Sequence, residues 1–387
     1  TGESFPIIMV SNVNLIGQGE EVTILDAQQS GKVVKIEDCD NNIISDFTVT
    51  GGIIMPDPEL VYNGSGAGIL LHNSDVNLTN ITITNNTSSG SGGGIFIQYS
   101  NSILSNITIT NNTAEFTGGG VYISYCSPKL TNLIISNNSI SDTYAYNGGG
   151  AGGIAFYESN SMMINSTISN NINRGIYCTF SNITLKNVIV ANNTGFGIFN
   201  IGDGITLYDT NLTLNHVTIA DNYGSAIDLP SGNNSSNITI KNSIIWNNDQ
   251  GTIPSHIVNG VELIISYSNI QGGWVGEGNI DSDPLFNEDY TLQESSPCID
   301  SGDPSLWYED LDGTRANMGA TSGPFVLTNF KNYDFGNAGD LGSSTQFTLY
   351  NFRQTPIIIS NVTFGTTSFT TDASFPMTIA PLETGIV

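Results

Sequence analysis

Paired carboxylates can act as acid and base in glycoside hydrolysis, and Asp203, Asp209, Asp221 and Asp228 fall on neighbouring segments of this 387-residue chain. Arg174 stands nearby, just ahead of Gly175-Ile176, with Lys186 a few residues on. The arginines are Arg174, Arg315 and Arg353, and Arg174 alone lies within the repeated part of the sequence. Arg174, Asp203 and Asp221 are therefore the candidate catalytic residues. No spacing sets two of these carboxylates at a defined separation, and the plainer reading of Arg174 is a solvated turn residue.

A second cluster is acidic. From Glu277 to Asp312 there are 11 of the chain's 35 acids, with no Lys or Arg between them. Ca²⁺ takes about six to eight oxygen ligands, often from such loops. Asp300, Asp303, Asp310 and Asp312 are the candidate ligands of a structural Ca²⁺; solvated loop charge is the plainer reading. No EF-hand loop is present. Zinc chemistry is poorly supported, because His72, His216 and His256 are far apart and no HExxH occurs. The glycine triplets precede no helix and read as turns, not phosphate loops.

The overall balance narrows the partners. Nine Lys and Arg against 35 acids leave a formal charge of −26. Nucleic acid and anionic membranes need clustered Lys and Arg, so neither is expected as a partner. No apolar run reaches the roughly 18 residues of a membrane span. The chain opens abruptly at Thr1 in a strand-like stretch and reads as a mature chain or a fragment. Cys39, Cys126, Cys178 and Cys298 are widely spaced and form no CxxC, so they read as buried apolar residues.

The elements that position these residues form a repeat. Asn-Ile-Thr-Ile-Thr-Asn-Asn occurs at Asn80 to Asn86 and at Asn106 to Asn112, a shift of 26 residues. Gly-Gly-Gly plus an apolar residue occurs at Gly92 to Ile95 and at Gly118 to Val121 with the same shift. Apolar residues alternate in short runs between Gly and Asn, which predicts short strands and tight turns. Three strands per coil are predicted, for example Ile95–Ile97, Ile103–Leu104 and Ile107–Ile109. One such coil cannot bury its apolar face alone, so coils must stack. About ten coils at a rise of about 4.8 Å would make a rod about 50 Å long. Longer loops are expected at Met55 to Ser65, Ile140 to Asn147 and Ile201 to Asp209. Asn80, Asn106, Asn132, Asn165, Asn187, His216 and Asn242 share one phase of the repeat. Asn tolerates left-handed backbone well, and stacked amides can bond along the rod, so these residues are expected to form one ladder, with His216 as a substitute.

With its Asn phase and Gly-Gly-Gly-Ile pattern, the repeat resembles the right-handed parallel β-helix of the pectin-lyase-like superfamily, in the bacterial secreted or surface form. The resemblance covers residues 1–321, including a closing segment at 274–320, and implies an all-β fold with an internal Asn ladder. It also implies a choice of activities: lyases, hydrolases, esterases and non-catalytic adhesins share the fold. In pectate-lyase-like sites Arg or Lys is the base and carboxylate-held Ca²⁺ neutralises the uronate. Of the polygalacturonase motifs Asn-Thr-Asp, Gly-Asp-Asp, Gly-His-Gly and Arg-Ile-Lys, none occurs here. After Ser322-Gly-Pro324, residues 325–387 resemble an incomplete Hydin/ASPM-type immunoglobulin-like domain, with Phe347, Leu349, Ile357 and Ile359 alternating.

A binding face is expected on the outer side of the strand after the glycines. Phe96, Tyr122, Tyr177 and Phe199 would form an aromatic stripe there, since the residue after an inward one points outward. The functional expectation is a secreted or cell-surface module that binds polysaccharide or surface glycan without turnover. The alternative is a lyase or glycoside hydrolase acting on acidic polysaccharide. The many Asn-x-Ser/Thr triplets follow from the repeat and need no glycosylation.

Overall fold

The computed structural model describes residues 4–55, 64–141, 150–194, 203–229, 236–251, 261–305, 308, 310, 314–320, 326–328, 348–351, 356–362, 370–380 and 384–386. They divide into two compact units, one of residues 1–303 and 317–322, the other of residues 304–316 and 323–387.

The first unit is a parallel β-solenoid of about nine turns. In strand Ile95–Gln98, Ile95 and Ile97 are buried while Phe96 and Gln98 are partly exposed. Ile95 pairs in register with Ile69 before it and Val121 after it. Repetition builds a nine-stranded parallel sheet from Ile7–Ile8 to Ile227–Asp228. A 13-stranded second sheet holds the longer strands, and a four-stranded third sheet joins Ile53–Ile54, Thr87–Ser88, Thr113–Ala114 and Ser139–Ile140. The first sheet counts nine strands and the main path of the second counts ten, in keeping with the about ten coils expected. Inward residues of successive coils merge into a single core from Met9 to Ile270, the continuous interior that stacking requires.

Two of the three predicted strands are one. Ile103–Leu104 and Ile107–Ile109 belong to the single strand Ile103–Thr110, bent at Asn106, whose φ is 54°. A third strand, Thr113–Ala114, follows the next turn. The glycine triplets are explained by crowding: Gly92 has φ 67°, and a Cβ on Gly93 would lie 2.4 Å from the Thr113 carbonyl oxygen.

The predicted Asn phase is left-handed throughout, with φ between 49° and 54° at Asn80, Asn106, Asn132, Asn165, Asn187, His216 and Asn242. Side-chain bonds link Asn106 to Asn80 and Asn132 to Asn106, at 3.2 and 2.8 Å. This column is not the internal ladder, however. Asn106 is exposed and Asn80, Asn132 and Asn165 are half-buried; only toward the closing segment, at Asn187, His216 and Asn242, does the column become buried. The internal ladder lies six residues on, at Asn86, Asn112, Asn138, Asn171, Asn193, Asn222 and Asn248, all buried. The Nδ2 of Asn86 donates to Oδ1 of Asn112 at 3.0 Å, and Asn112 to Asn138 at 3.0 Å. The same link continues through Asn171, Asn193 and Asn222 to Asn248.

The closing segment covers the last coils. Cys298 and Met318 pack on Ile244, with Phe286 and Leu292 against them. Asp303 N–H donates to Asn242 Oδ1 at 2.7 Å, and Ala320 N–H to Thr218 Oγ1 at 3.0 Å. All four cysteines are buried and free. The expected loops at Met55 to Ser65 and Ile140 to Asn147 fall largely outside the described residues; the one expected at Ile201 to Asp209 instead contains strand Ile205–Tyr208, because Ile205 and Leu207 alternate into the core.

In the second unit, Val326–Thr328, Thr348–Asn351 and Thr384–Ile386 form one antiparallel sheet, and Ile357–Ile359 pairs with Met377–Ile379. Leu349, Ile357 and Ile379 make its small core. Phe347 lies outside the described residues.

Candidate functional site

Arg174 opens strand Arg174–Thr179 and points inward, contrary to the solvated turn expected. Its Nε lies 3.5 Å from Asp203 Oδ2, and the two side chains are 6% and 8% exposed. Nη1 donates to the Gly150 carbonyl at 3.2 Å, and Cζ sits 5.6 Å from the Tyr177 ring centroid. Asp203 also accepts from Ser225 N–H at 2.9 Å and from the Thr206 hydroxyl at 3.2 Å. Burial pushes the Asp228 carboxyl up, Asp203 adds to that, and Arg174 opposes it. The fold thus brings Arg174, Asp203, Asp228 and Tyr177 together. Asp221 belongs elsewhere: it accepts from the Tyr290 hydroxyl at 2.8 Å and from Asn247. Lys186 faces a different neighbour, His216. An arginine with its guanidinium committed to an inward carboxylate and a carbonyl is an internal ion pair that lets Asp203 be buried.

In the acidic segment, one candidate carboxylate is committed to the fold. Asp303 accepts from Lys241 Nζ at 2.7 Å, so it holds the closing segment to the coil beneath it. Asp300 is exposed, and its N–H donates to Asn317. The Asp310 N–H donates to the Thr314 carbonyl, and Asp312 lies outside the described residues. Among the described residues no group of three His, Cys, Asp or Glu side chains is arranged to hold a metal ion.

The outward column after the glycines starts as expected. Leu70, Phe96, Tyr122, Ala155 and Tyr177 are in register, and Phe96 stacks on Tyr122 at 5.2 Å. The next member is Thr206, which is buried, so the stripe ends where Phe199 was expected. Phe199 itself lies outside the described residues. The stripe is short, half-buried and interrupted at Ala155, and its last ring covers Arg174.

A longer aromatic column runs along the corner where the first sheet ends. His72 meets Tyr99 edge-on at 5.9 Å, and Tyr99 stacks on Tyr125 at 5.2 Å. Tyr125, Tyr157, Phe180 and Tyr208 continue edge-to-face at 5.4, 6.1 and 6.0 Å. These are favourable ring geometries. Tyr99, Tyr125 and Phe180 are 50%, 40% and 49% exposed. Each of these three takes the left-handed turn position, with φ from 51° to 55°, which throws its ring outward at the bend. The Tyr157 hydroxyl is hydrogen-bonded to Tyr125 and to Glu158, which together with burial raise its pKa to about 12.

Beside the rings runs a column of exposed polar groups. Asn101 Oδ1 accepts from Ser127 N–H at 2.7 Å. Asn182 donates to Asn160, Asn211 to Asn182 at 2.6 Å, and Asn237 to Asn211 at 2.8 Å. Between the two columns lies a groove of about 540 Å³ lined by Glu158, Asn160, Phe180 and Asn182. A polar groove of about 610 Å³, lined by Asp26, Gln28, Asn85 and Asn111 among others, has no aromatic side chain in its lining.

Residues 8–142 and 67–201 match the family described as the right handed beta helix region, and together they span half of the chain. No curated protein sequence matches the chain. Among solved structures it is similar to pectate lyase Pel9A, at 10% identity and a TM-score of 0.36, covering 81% of this chain and 86% of that one. It is also similar to the A-module of mannuronan C-5 epimerase AlgE4 from Azotobacter vinelandii, at 14% identity and a TM-score of 0.38, covering 71% and 85%.

Proposed function

The chain belongs to the right-handed β-helix family, and we propose that it is a non-catalytic module that binds polysaccharide along the aromatic corner. The observation that carries this reading is the run of six rings from His72 to Tyr208 beside an exposed asparagine column. Sugar rings have an apolar face that stacks on an aromatic ring and hydroxyls that bond to amides. The corner offers both, one set per coil, at the ~4.8 Å spacing of stacked strands. The solenoid holds these groups rigid before any ligand arrives, which lowers the cost of ordering them.

The rival reading is a lyase or hydrolase of acidic polysaccharide. It would draw on Arg174 and Asp203, which are buried and paired with each other, and on the partly exposed Asp228 beside them. We place the protein outside the cell or at its surface, as a bacterial surface protein whose second unit is a partial immunoglobulin-like module. Its antiparallel strands are compatible with such a module, and protection from protease added to intact cells would contradict the placement outside the cell.

The test is affinity electrophoresis against a panel of neutral, acidic and amino polysaccharides, with product release measured in parallel, with and without Ca²⁺. Tyr125→Ala and Phe180→Ala should each weaken binding about tenfold, the effect of truncating an anchoring aromatic residue. Turnover that is lost in Arg174→Ala or Asp203→Ala would overturn the non-catalytic reading.

A further inference from the structure

Acids outnumber cations along the aromatic corner. Glu37 and Asp38 close one end of the ring column, Asp75 accepts from Asn101 N–H in the neighbouring polar column, Glu158 lies in the groove, and Asp209 follows Tyr208 at the other end. The nearby cations are Lys35, whose Nζ is 2.5 Å from Glu37 Oε2, and Lys129, at the start of the neighbouring strand Lys129–Ser136. The whole chain adds a field of the same sign, with a formal charge of −26. Such a field repels anionic ligands and concentrates cationic ones.

Glu158 is the best placed of these acids. It is exposed at the left-handed turn, with φ 46°, and lines the groove with Phe180, Asn160 and Asn182. Its neighbour Tyr157 belongs to the ring column, between Tyr125 and Phe180, so the carboxylate stands at the edge of that column. One carboxylate, one ring face and two amides within a single groove match a sugar that bears a positive charge, an apolar face and hydroxyls.

We infer that this groove takes a glycan carrying free amino groups in preference to one carrying carboxylates. This rests on the glycan-binding reading above and adds the ligand class. The ring stacks on Phe180, the hydroxyls bond to Asn160 and Asn182, and the ammonium pairs with Glu158. A polyuronate would set its carboxylates against Glu158 and Asp75 with no arginine within the ring column to offset them.

The experiment compares three probes on the full chain at low ionic strength, at a pH where the amines are protonated: a chitosan oligosaccharide, its fully N-acetylated counterpart, and an oligogalacturonate. The expected order is chitosan, then the acetylated form, then the uronate. Glu158→Gln should lower chitosan affinity by about three- to five-fold, the size of one exposed ion pair, and leave the acetylated probe unchanged. Phe180→Ala should weaken both. Equal binding of all three probes, or tighter binding of the uronate, with loss in Phe180→Ala would overturn the charge preference and leave the glycan-binding reading standing. An unchanged chitosan affinity in Glu158→Gln would overturn the assignment of that carboxylate. Binding of none of the probes, or binding indifferent to Phe180→Ala, would overturn both.

Discussion

Two columns of side chains run along the solenoid at one residue per coil, and they do opposite work. The asparagines from Asn86 to Asn248 are buried. Their amides bond to one another and to backbone: Asn112 Nδ2 donates to the Ile83 carbonyl at 2.9 Å, and Asn86 N–H donates to Asn112 Oδ1 at 3.1 Å. This column satisfies polar groups at a turn that water cannot reach. The rings from His72 to Tyr208 also touch in sequence, but their faces meet solvent. They contribute contact between neighbours and leave their outer surfaces free. Equal spacing therefore does not assign equal roles; access to water separates structure from function.

The comparison can be broken most strongly at His216. It shares a left-handed phase with exposed Asn106, yet the closing segment buries it. Burial first, then Lys186, lowers its pKa to about 3, with Asp303 opposing. The folded state thus holds the neutral ring while the unfolded chain takes up a proton near its ordinary value. Stability from this group is present above pH about 6.5 and lost as pH falls toward about 3, by about 1.4 kcal/mol per pH unit within that window. Urea unfolding across this range should show that slope, and His216→Asn, which restores the residue of the other coils, should remove it. Equal slopes in both proteins would contradict it.

The buried ladder should be the next most sensitive. Asn138→Ala leaves the N–H and Nδ2 of Asn112 without their acceptor and removes the donor to Asn171, at a cost of about 3 kcal/mol in chemical denaturation. Tyr125→Ala should cost under about 1 kcal/mol, because its ring is half exposed and its stacking, edge and hydroxyl contacts with Tyr99 and Tyr157 all lie at the surface. A ring truncation as costly as the amide truncation would erase the distinction between the columns.

The repeat, the parallel stacking and the left-handed phase at Asn80 and Asn106 were legible because they are local demands: alternation buries one face, and a bend with positive φ selects Asn. The identity of the buried ladder was not, although its signal was present. Asn-Asn doublets recur at Asn85-Asn86, Asn111-Asn112, Asn137-Asn138, Asn170-Asn171 and Asn192-Asn193, the first residue making the exposed turn and the second turning inward. The aromatic corner was hidden for another reason. Tyr99, Tyr125 and Phe180 occupy the turn position, whereas His72, Tyr157 and Tyr208 occupy the preceding strand end. Long side chains from two phases converge on one line in space, so no single period reveals them. Arg174 was seen but misjudged, because its partner Asp203 reaches it across a coil-to-coil register that the variable loops obscure.

The most direct test of the account is hydroxyl-radical footprinting of the tyrosines with and without saturating oligosaccharide. Binding along the corner predicts protection of Tyr99, Tyr125, Tyr157 and Tyr208, with Tyr122 and Tyr177 on the adjoining column unchanged. Protection confined to Tyr122 and Tyr177, or protection of neither set under saturating conditions, would contradict it.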